Sequence, residues 1–430
     1  MMAVETYLDG RVTLHCGDCL DRLKEIPDDS IDSGVMDPPY HLTSIVKRFG
    51  NNQAPAQDGK TGAFKRASAG FMGQTWDGGD IAFTPELWCE IYRVLKPGAY
   101  LLAFASTRGI WRMGVAIEDA GFIPHPKIAW LFGYGLPKAT RIKADGYDGF
   151  RYGGQSLKPA IEPVFMGQKP FEAGLNGTEN ILTHGTGAVN IDGCRIQGGG
   201  EVKPRGSSKL DTNMHEGWAR PWMQDREKVQ AAHDAAIENA NRLGRWPANV
   251  IHDGSDEVLA AFPGNLKSGS GAIKRTTGVG YSGTVYGSEN RPAGTEGVAY
   301  GDEGSAARFF YSAKADADDR IGSKHPTVKP IDLMRYLVRL VTPPGGTVLD
   351  AFAGTGTTGE AAFYEGFKAV LIEREPDFQD DIRRRMKLCL AGPDERAREI
   401  LKAKHQDDPE AFKDSGPLFN TLQKTGETAC

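Results

Sequence analysis

Apolar runs bounded by acids, glycines and prolines recur along the chain and predict alternating strands and helices. Residues 12–15 are β-prone and lead through Cys16-Gly17-Asp18 into a helical pattern of Leu20, Leu23 and Ile26. After the turn Asp28-Asp29-Ser30 comes an apolar run from Ile31 to Met36 that predicts a buried strand. It stops at Asp37-Pro38-Pro39-Tyr40, where proline fixes φ and pushes the preceding residue to extended geometry. Thr84-Pro85-Glu86 starts a helix with Leu87, Ile91 and Leu95 on one face, and Pro97-Gly98 breaks it. A buried strand over 99–105, a helix over 108–120 ended by Gly121, and strands over 127–132 and 161–166 follow. The last third predicts a helix over 331–341, a strand over 347–352, a tight loop over 354–359 and a helix over 359–366. A strand over 368–373 and a helix over 376–390 complete it.

Two regions break this rhythm. Residues 41–80 are polar, glycine-rich and basic, with Lys47, Arg48, Lys60, Lys65 and Arg66 against Asp58 between His41 and Trp76; they predict a long loop. Residues 170–305 are dense in glycine, with only short elements such as 188–191 and 246–251. The expected layout is a domain split by an insert: 1–169, the insert 170–305, the return 306–392, and a loose polar tail 393–430.

Composition adds less. The chain has 430 residues, 25% charged and 40% hydrophobic, ordinary for a soluble globular protein of one or two domains; its net charge of −5 argues weakly against a nucleic-acid partner, although a total hides local patches. The N-terminus lacks the basic and apolar regions of a signal peptide and no apolar run is long enough to span a membrane, so a cytoplasmic location is expected. Six scattered cysteines suit a reducing compartment. Cys16-x-x-Cys19 opens a helix after a strand, which leaves a redox role open; zinc would need a second ligand pair, and none stands at the right spacing.

Two constellations carry chemistry. Gly354-Thr355-Gly356-Thr357-Thr358-Gly359 matches G-x-G-x-x-G between a strand and a helix, and Glu373 ends the next strand, which suits an acid on a ribose. Both NAD and S-adenosylmethionine (AdoMet) present a ribose. Asp350 favours AdoMet, because a carboxylate there can bind a cationic amino group and would repel a pyrophosphate. The second constellation is Asp37-Pro38-Pro39-Tyr40. The Asp37 carboxylate and the Pro38 carbonyl can accept both N–H groups of an exocyclic amine and pull its nitrogen toward tetrahedral geometry. Tyr40 can stack on the base, and no cysteine nucleophile is needed.

Asp-Pro-Pro-Tyr together with Asp-Ala-Phe-Ala-Gly-Thr-Gly resembles the amino-group DNA methyltransferases, N6-adenine and N4-cytosine, and the order of the two motifs resembles their β class. The stretch from Lys324 to Glu360, with His-Pro-Thr-Val-Lys-Pro, is similar to that class's cofactor module. The segments Gly-Arg-Trp-Pro-Ala-Asn-Val-Ile and Gly301-Asp302-Glu303-Gly304 are similar to phage and prophage modification methylases. The resemblance implies an α/β, Rossmann-like AdoMet-dependent methyltransferase fold, a seven-stranded sheet, circularly permuted, with an inserted target-recognition domain. Seven strands are expected outside the insert on independent grounds, five before it and two after. The resemblance also implies Asp18 at the cofactor adenine, Asp350, Phe352, Gly354 and Gly356 at its methionine end, Glu373 at the ribose, and Thr327 with Lys329 bordering the methionine carboxylate. The catalytic residues would be Asp37, Pro38, Pro39 and Tyr40, without a metal. The implied partner is double-stranded DNA with its target base flipped out; monomer and homodimer both stay open. The basic loop from Lys47 to Arg66 would be a closing element, and Trp218 and Trp222 would pack the insert. Asp at the head of the turn favours adenine N6 over cytosine N4. An NAD-dependent oxidoreductase would share the glycine loop but leave the turn unexplained, and an inactive DNA-binding module would not need competent residues at every motif position.

Overall fold

The structure, a computed structural model, describes residues 4–40, 80–196, 244–267, 303–313, 316–325 and 327–404, with three isolated positions besides. The chain divides into two units, Met1–Asn190 with Ala313–Cys430, and Ile191–Ser312. Among the described residues of the first unit, eight strands build one sheet: β1 (Val4–Tyr7), β2 (Val12–Cys16), β3 (Ile31–Met36), β4 (Leu95–Phe104), β5 (Ile123–Leu131), β6 (Ile161–Gln168), β7 (Thr347–Asp350) and β8 (Lys368–Glu373). Their spatial order is β1-β2-β8-β7-β3-β4-β6-β5. The run β2-β8-β7-β3-β4 is parallel. β1 is antiparallel to β2, and β6 is antiparallel to both β4 and β5. Seven of these strands are the expected ones. β1 is an addition at the edge, half exposed along its length and without an apolar run to announce it.

The helices of the first unit among the described residues are α1 (Cys19–Leu23), α2 (Pro85–Val94), α3 (Ile110–Asp119), α4 (Gly177–His184), α5 (Ile331–Val341), α6 (Thr357–Tyr364), α7 (Pro376–Leu388) and α8 (Pro393–Lys404). Leu101 and Ala103 of β4, with Ala105 just past its end, join one core with Leu23 of α1, Trp88 and Ile91 of α2 and Met113 of α3. The alternating residues Tyr100, Leu102 and Phe104 are also buried, so this strand is covered on both faces, as parallel sheets are. β3 is buried throughout although it reads Ile-Asp-Ser-Gly-Val-Met. Its polar groups are paired: Asp32 accepts from Lys96 Nζ at 2.6 Å and from the Thr347 N–H at 2.7 Å, and the Ser33 and Thr342 hydroxyls lie 2.8 Å apart. A buried polar side chain is tolerated in a central strand on that condition.

Three expectations need correction. β4 starts at Leu95 and runs through Pro97-Gly98, where a register shift and the positive φ of Gly98 (84°) absorb the break expected of those residues. Residues 170–190, expected in the insert, belong to the first unit. Asn180 of α4 is buried there and donates to the Pro97 carbonyl at 2.9 Å, which ties the segment to the start of β4. The polar tail is not loose throughout, since 393–404 form α8. Its Ile400 packs with Ile321 and Leu388, and Arg396 reaches the buried Glu360 at 2.7 Å.

The second unit holds short pieces. Val250–His252 pairs in parallel with Tyr311–Ser312, Leu266–Lys267 pairs with Glu303–Gly304, and one short helix covers Asp256–Ala261. The basic loop from Lys47 to Arg66 and Trp218 with Trp222 lie outside the described residues. Among the described residues no helix is long and apolar enough to cross a membrane.

Candidate active site

Because β2, β8, β7 and β3 lie side by side and parallel, their carboxyl ends meet at one sheet edge. Each end carries an acid: Asp18 two residues past β2, Glu373 at the end of β8, Asp350 at the end of β7, and Asp37 just past β3. In open α/β sheets this edge is where ligands bind. β6 runs the other way, so its second residue, Glu162, reaches the same edge.

The glycine loop shapes one half of the site. Gly354 and Gly356 have φ of 52° and 80°, which L side chains rarely adopt, and a Cβ on Gly356 would stand 3.0 Å from Ile382 Cγ1. The Gly354 N–H donates to Glu373 at 2.8 Å, and the Glu375 N–H donates to its other oxygen at 2.8 Å. Asp350 accepts from the Phe352 N–H at 3.0 Å and from the Thr358 hydroxyl. Burial nonetheless pushes Asp350 up to about 7 and Glu373 up to about 7, because these neutral donors only partly replace water and each carboxylate also feels another acid. Two buried carboxylates with no direct ion pair among the described residues make a cradle for a cation and for hydroxyl donors. Asp18 caps α1, accepting from the Leu20 N–H at 3.0 Å.

His325 borders the loop. Its Nε2 lies 3.5 Å from the point where a Cβ on Gly354 would stand, and its Nδ1 accepts the Thr327 N–H at 3.2 Å. Burial drives its pKa down to about 4, so the imidazole is neutral, and the Thr327 bond leaves the proton on Nε2. Thr327 itself is exposed.

The other half of the site is the turn after β3. Lys329 Nζ lies 2.6 Å from Asp37 Oδ2, 3.2 Å from Glu162 Oε1 and 3.3 Å from the Tyr40 hydroxyl. The Tyr40 hydroxyl is 2.7 Å from Asp37 Oδ1 and also bonds Glu162. The ammonium sits over the Phe104 ring, 4.7 Å from its centroid. Burial alone would favour discharge of Lys329, but Asp37 and Glu162 outweigh it and hold the ammonium charged. Burial raises Glu162 against the pull of Lys329, with Asp37 adding to the rise. Burial, then the two carboxylates, push Tyr40 well above its ordinary range and keep it a proton donor.

Lys329 therefore sits against the Asp37 turn, although the resemblance placed it at the methionine carboxylate. Tyr40, expected as a stacking ring, also bridges two acids. Glu162 and His325 were not singled out from the sequence: an acid before Pro163 in a strand gives no signal, whereas His325 at least heads the His-Pro-Thr-Val-Lys-Pro run. The redox possibility at Cys16 and Cys19 loses support, since burial raises both thiols, Cys19 to about 12, where a redox thiol needs the opposite shift.

The chain is 27% identical over 203 residues to the type II methyltransferase M.HindIII of Haemophilus influenzae, covering 41% of this chain and 64% of that one. It is 24% identical over 394 residues to the type II methyltransferase M.BglI of Bacillus subtilis, covering 91% and 90%. The match thus spans just under two thirds of the first relative and nine tenths of the second. Among solved structures, the PvuII DNA methyltransferase (cytosine-N4-specific) is similar at 13% identity, with a TM-score of 0.42 over 94% of this chain and 97% of that one. The model of the N6_N4_Mtase family, described as DNA methylase, matches residues 31–384. That span runs from the start of β3 into α7 and takes in both the Asp37 turn and the glycine loop; the chain belongs to the N6/N4 DNA methylase family, with its mixed-sheet α/β fold.

Proposed function

We propose that this chain is an AdoMet-dependent, site-specific DNA methyltransferase acting on the exocyclic N6 amine of adenine. One observation carries the reading: the Asp37 turn and the buried Asp350 lie at the ends of adjacent strands, β3 and β7. A site for an amine and a site for a cationic methyl donor are thereby neighbours. Asp350 would take the ammonium of the methionine end, beside Phe352, Gly354 and Gly356; Glu373 would take the ribose hydroxyls, and Asp18 would face the adenine. Bound there, AdoMet supplies an electrophilic sulfonium methyl.

The chain's own residues do the rest. Asp37 and the Pro38 carbonyl accept the two N–H groups of the target amine, freeing its lone pair from conjugation, and Pro39 keeps the turn stiff. Lys329 holds Asp37 through Oδ2, and a carboxylate has acceptor sites to spare for the incoming amine. Tyr40 presents its ring to the base while Asp37 and Glu162 fix its hydroxyl. The target base must leave the duplex, at a cost of about a few kcal/mol. In this reading the chain is circularly permuted, and residues 191–312 are the target-recognition region.

The alternative acceptor is cytosine N4. Modified-base sequencing of DNA from cells expressing the protein separates the two: methyl groups on adenine N6 within one sequence context are expected, and N4-methylcytosine would overturn the adenine assignment. Asp37→Ala should abolish methyl transfer with AdoMet binding kept. Undiminished transfer in that variant would overturn the mechanism.

A further inference from the structure

We propose that the β-ribbon Lys138–Arg141/Arg151–Gln155, with the loop closing it, is a DNA-docking arm that holds the duplex beside the Asp37 turn. The inference rests on the methyltransferase reading and adds the surface that meets the nucleic acid. The segment leaves β5 at Leu131 and returns at Ile161 of β6. β5 runs in the same direction as β4 and β3, and β6 runs against them, so both ends of the segment lie at the carboxyl edge that bears Asp37. Glu162, one residue past the return, bonds the Tyr40 hydroxyl. The ribbon and the amine site are thus anchored at one place.

The ribbon's chemistry is that of a surface awaiting a polyanion. Residues 134–160 carry Lys138, Arg141, Lys143, Arg151 and Lys158 against Asp145 and Asp148, in a chain whose net charge is −5. Arg141 and Arg151 are direct cross-strand partners. Like charges placed opposite one another destabilise a strand pair, so the ribbon's own folding gives no reason for this register. A phosphate backbone lying along it supplies a counter-charge for Arg141 and Arg151. Apolar side chains stand exposed on the same arm: Tyr147 by 53%, Phe150 by 63% and Tyr152 by 52%. Both strands are exposed along most of their length, and a two-stranded ribbon is marginal in water on its own. Ring faces beside cations suit stacking on unpaired bases, and the B-DNA major groove admits a two-stranded ribbon. Arg108, at the approach to α3, extends the basic face, since a Cβ on Gly154 would stand 3.2 Å from its Nη1.

The test uses the full chain and a fluorescein-labelled 30-bp duplex of arbitrary sequence, with anisotropy read at several salt concentrations. Each phosphate contact contributes about 0.9 to the slope of log affinity against log salt. The fourfold variant K138A/R141A/K143A/R151A should lose about 3 to 4 from that slope and bind AdoMet as the wild type does. The milder R141Q/R151Q should lose about 2, and it decides the matter if the fourfold variant fails to bind AdoMet. An unchanged slope and affinity would overturn the proposal. So would a changed sedimentation coefficient with the slope intact, which would make the arm a self-association surface. Failure of the methyltransferase reading looks different: a wild type that binds duplex through the arm yet methylates no DNA would sink that reading and leave the arm standing.

Discussion

Asp350→Asn tests the cofactor cradle by separating binding from stability. Asp350 is 3% exposed, and burial raises it from 3.8 to about 7. A raised carboxyl binds its proton more tightly in the folded state than in the unfolded chain. Its contribution to stability is thus fully present below about pH 4 and is lost as pH rises through about 7. Three units at 1.36 kcal/mol each put the cost of its ionised form at about 4 kcal/mol. Asparagine removes that cost and keeps an acceptor for the Phe352 N–H or the Thr358 hydroxyl, at a loss of about 1–2 kcal/mol in hydrogen-bond strength. The ligand-free variant should therefore be about 2 kcal/mol more stable than wild type at pH 8, a rise of a few degrees in melting temperature, and close to wild type or below it at pH 5. AdoMet should raise the wild-type melting temperature and leave that of the variant unmoved. Differential scanning calorimetry of both proteins at pH 5 and 8, with and without AdoMet, reads all of this. A variant that melts below wild type at pH 8, or that is stabilised by AdoMet to the wild-type extent, would refute the picture of a buried charge waiting for a cation.

Lys329→Met strands Asp37 and Glu162 without their cation and should cost about 3 kcal/mol at pH 8, less at pH 5 as Glu162 takes up a proton. Thermal denaturation at the two pH values checks this; methyl transfer should fall with AdoMet affinity kept, and the reverse pattern would return Lys329 to the methionine carboxylate. Gly356→Ala forces an L side chain to a φ of 80° with its Cβ 3.0 Å from Ile382, and should cost about 1–3 kcal/mol in urea denaturation, with weaker AdoMet binding by calorimetry.

Most of the sheet was legible because its strands are buried on both faces or end in turn residues, and such runs stand out without any tertiary information. β1 was not, since an edge strand of alternating half-exposed residues has no apolar signature. In sequence α8 looks like loose tail because it is polar on most faces; the packing of Ile400 with Ile321 and Leu388 and the Arg396–Glu360 ion pair make it an element. In sequence, the motif neighbours of Lys329 place it at the cofactor. Its actual partners, Asp37 and Glu162, are 292 and 167 residues away along the chain.

By itself the sequence determined the local chemistry: a rigid acid-proline-proline-tyrosine turn after a buried strand, and a glycine loop between two strands that each end in an acid. Those features follow from fixed φ, positive φ and hydrophobic period, all properties of a few consecutive residues. Only the tertiary structure decided which charges meet. β6 runs antiparallel beside β4 and so delivers Glu162 to the edge where Asp37 ends β3. The segment leading into α5 then places Lys329 between the two acids, because a buried pair of carboxylates draws in the ammonium within reach. Electrostatic partners are set by distance in space, and distance in space is what strand order and direction determine.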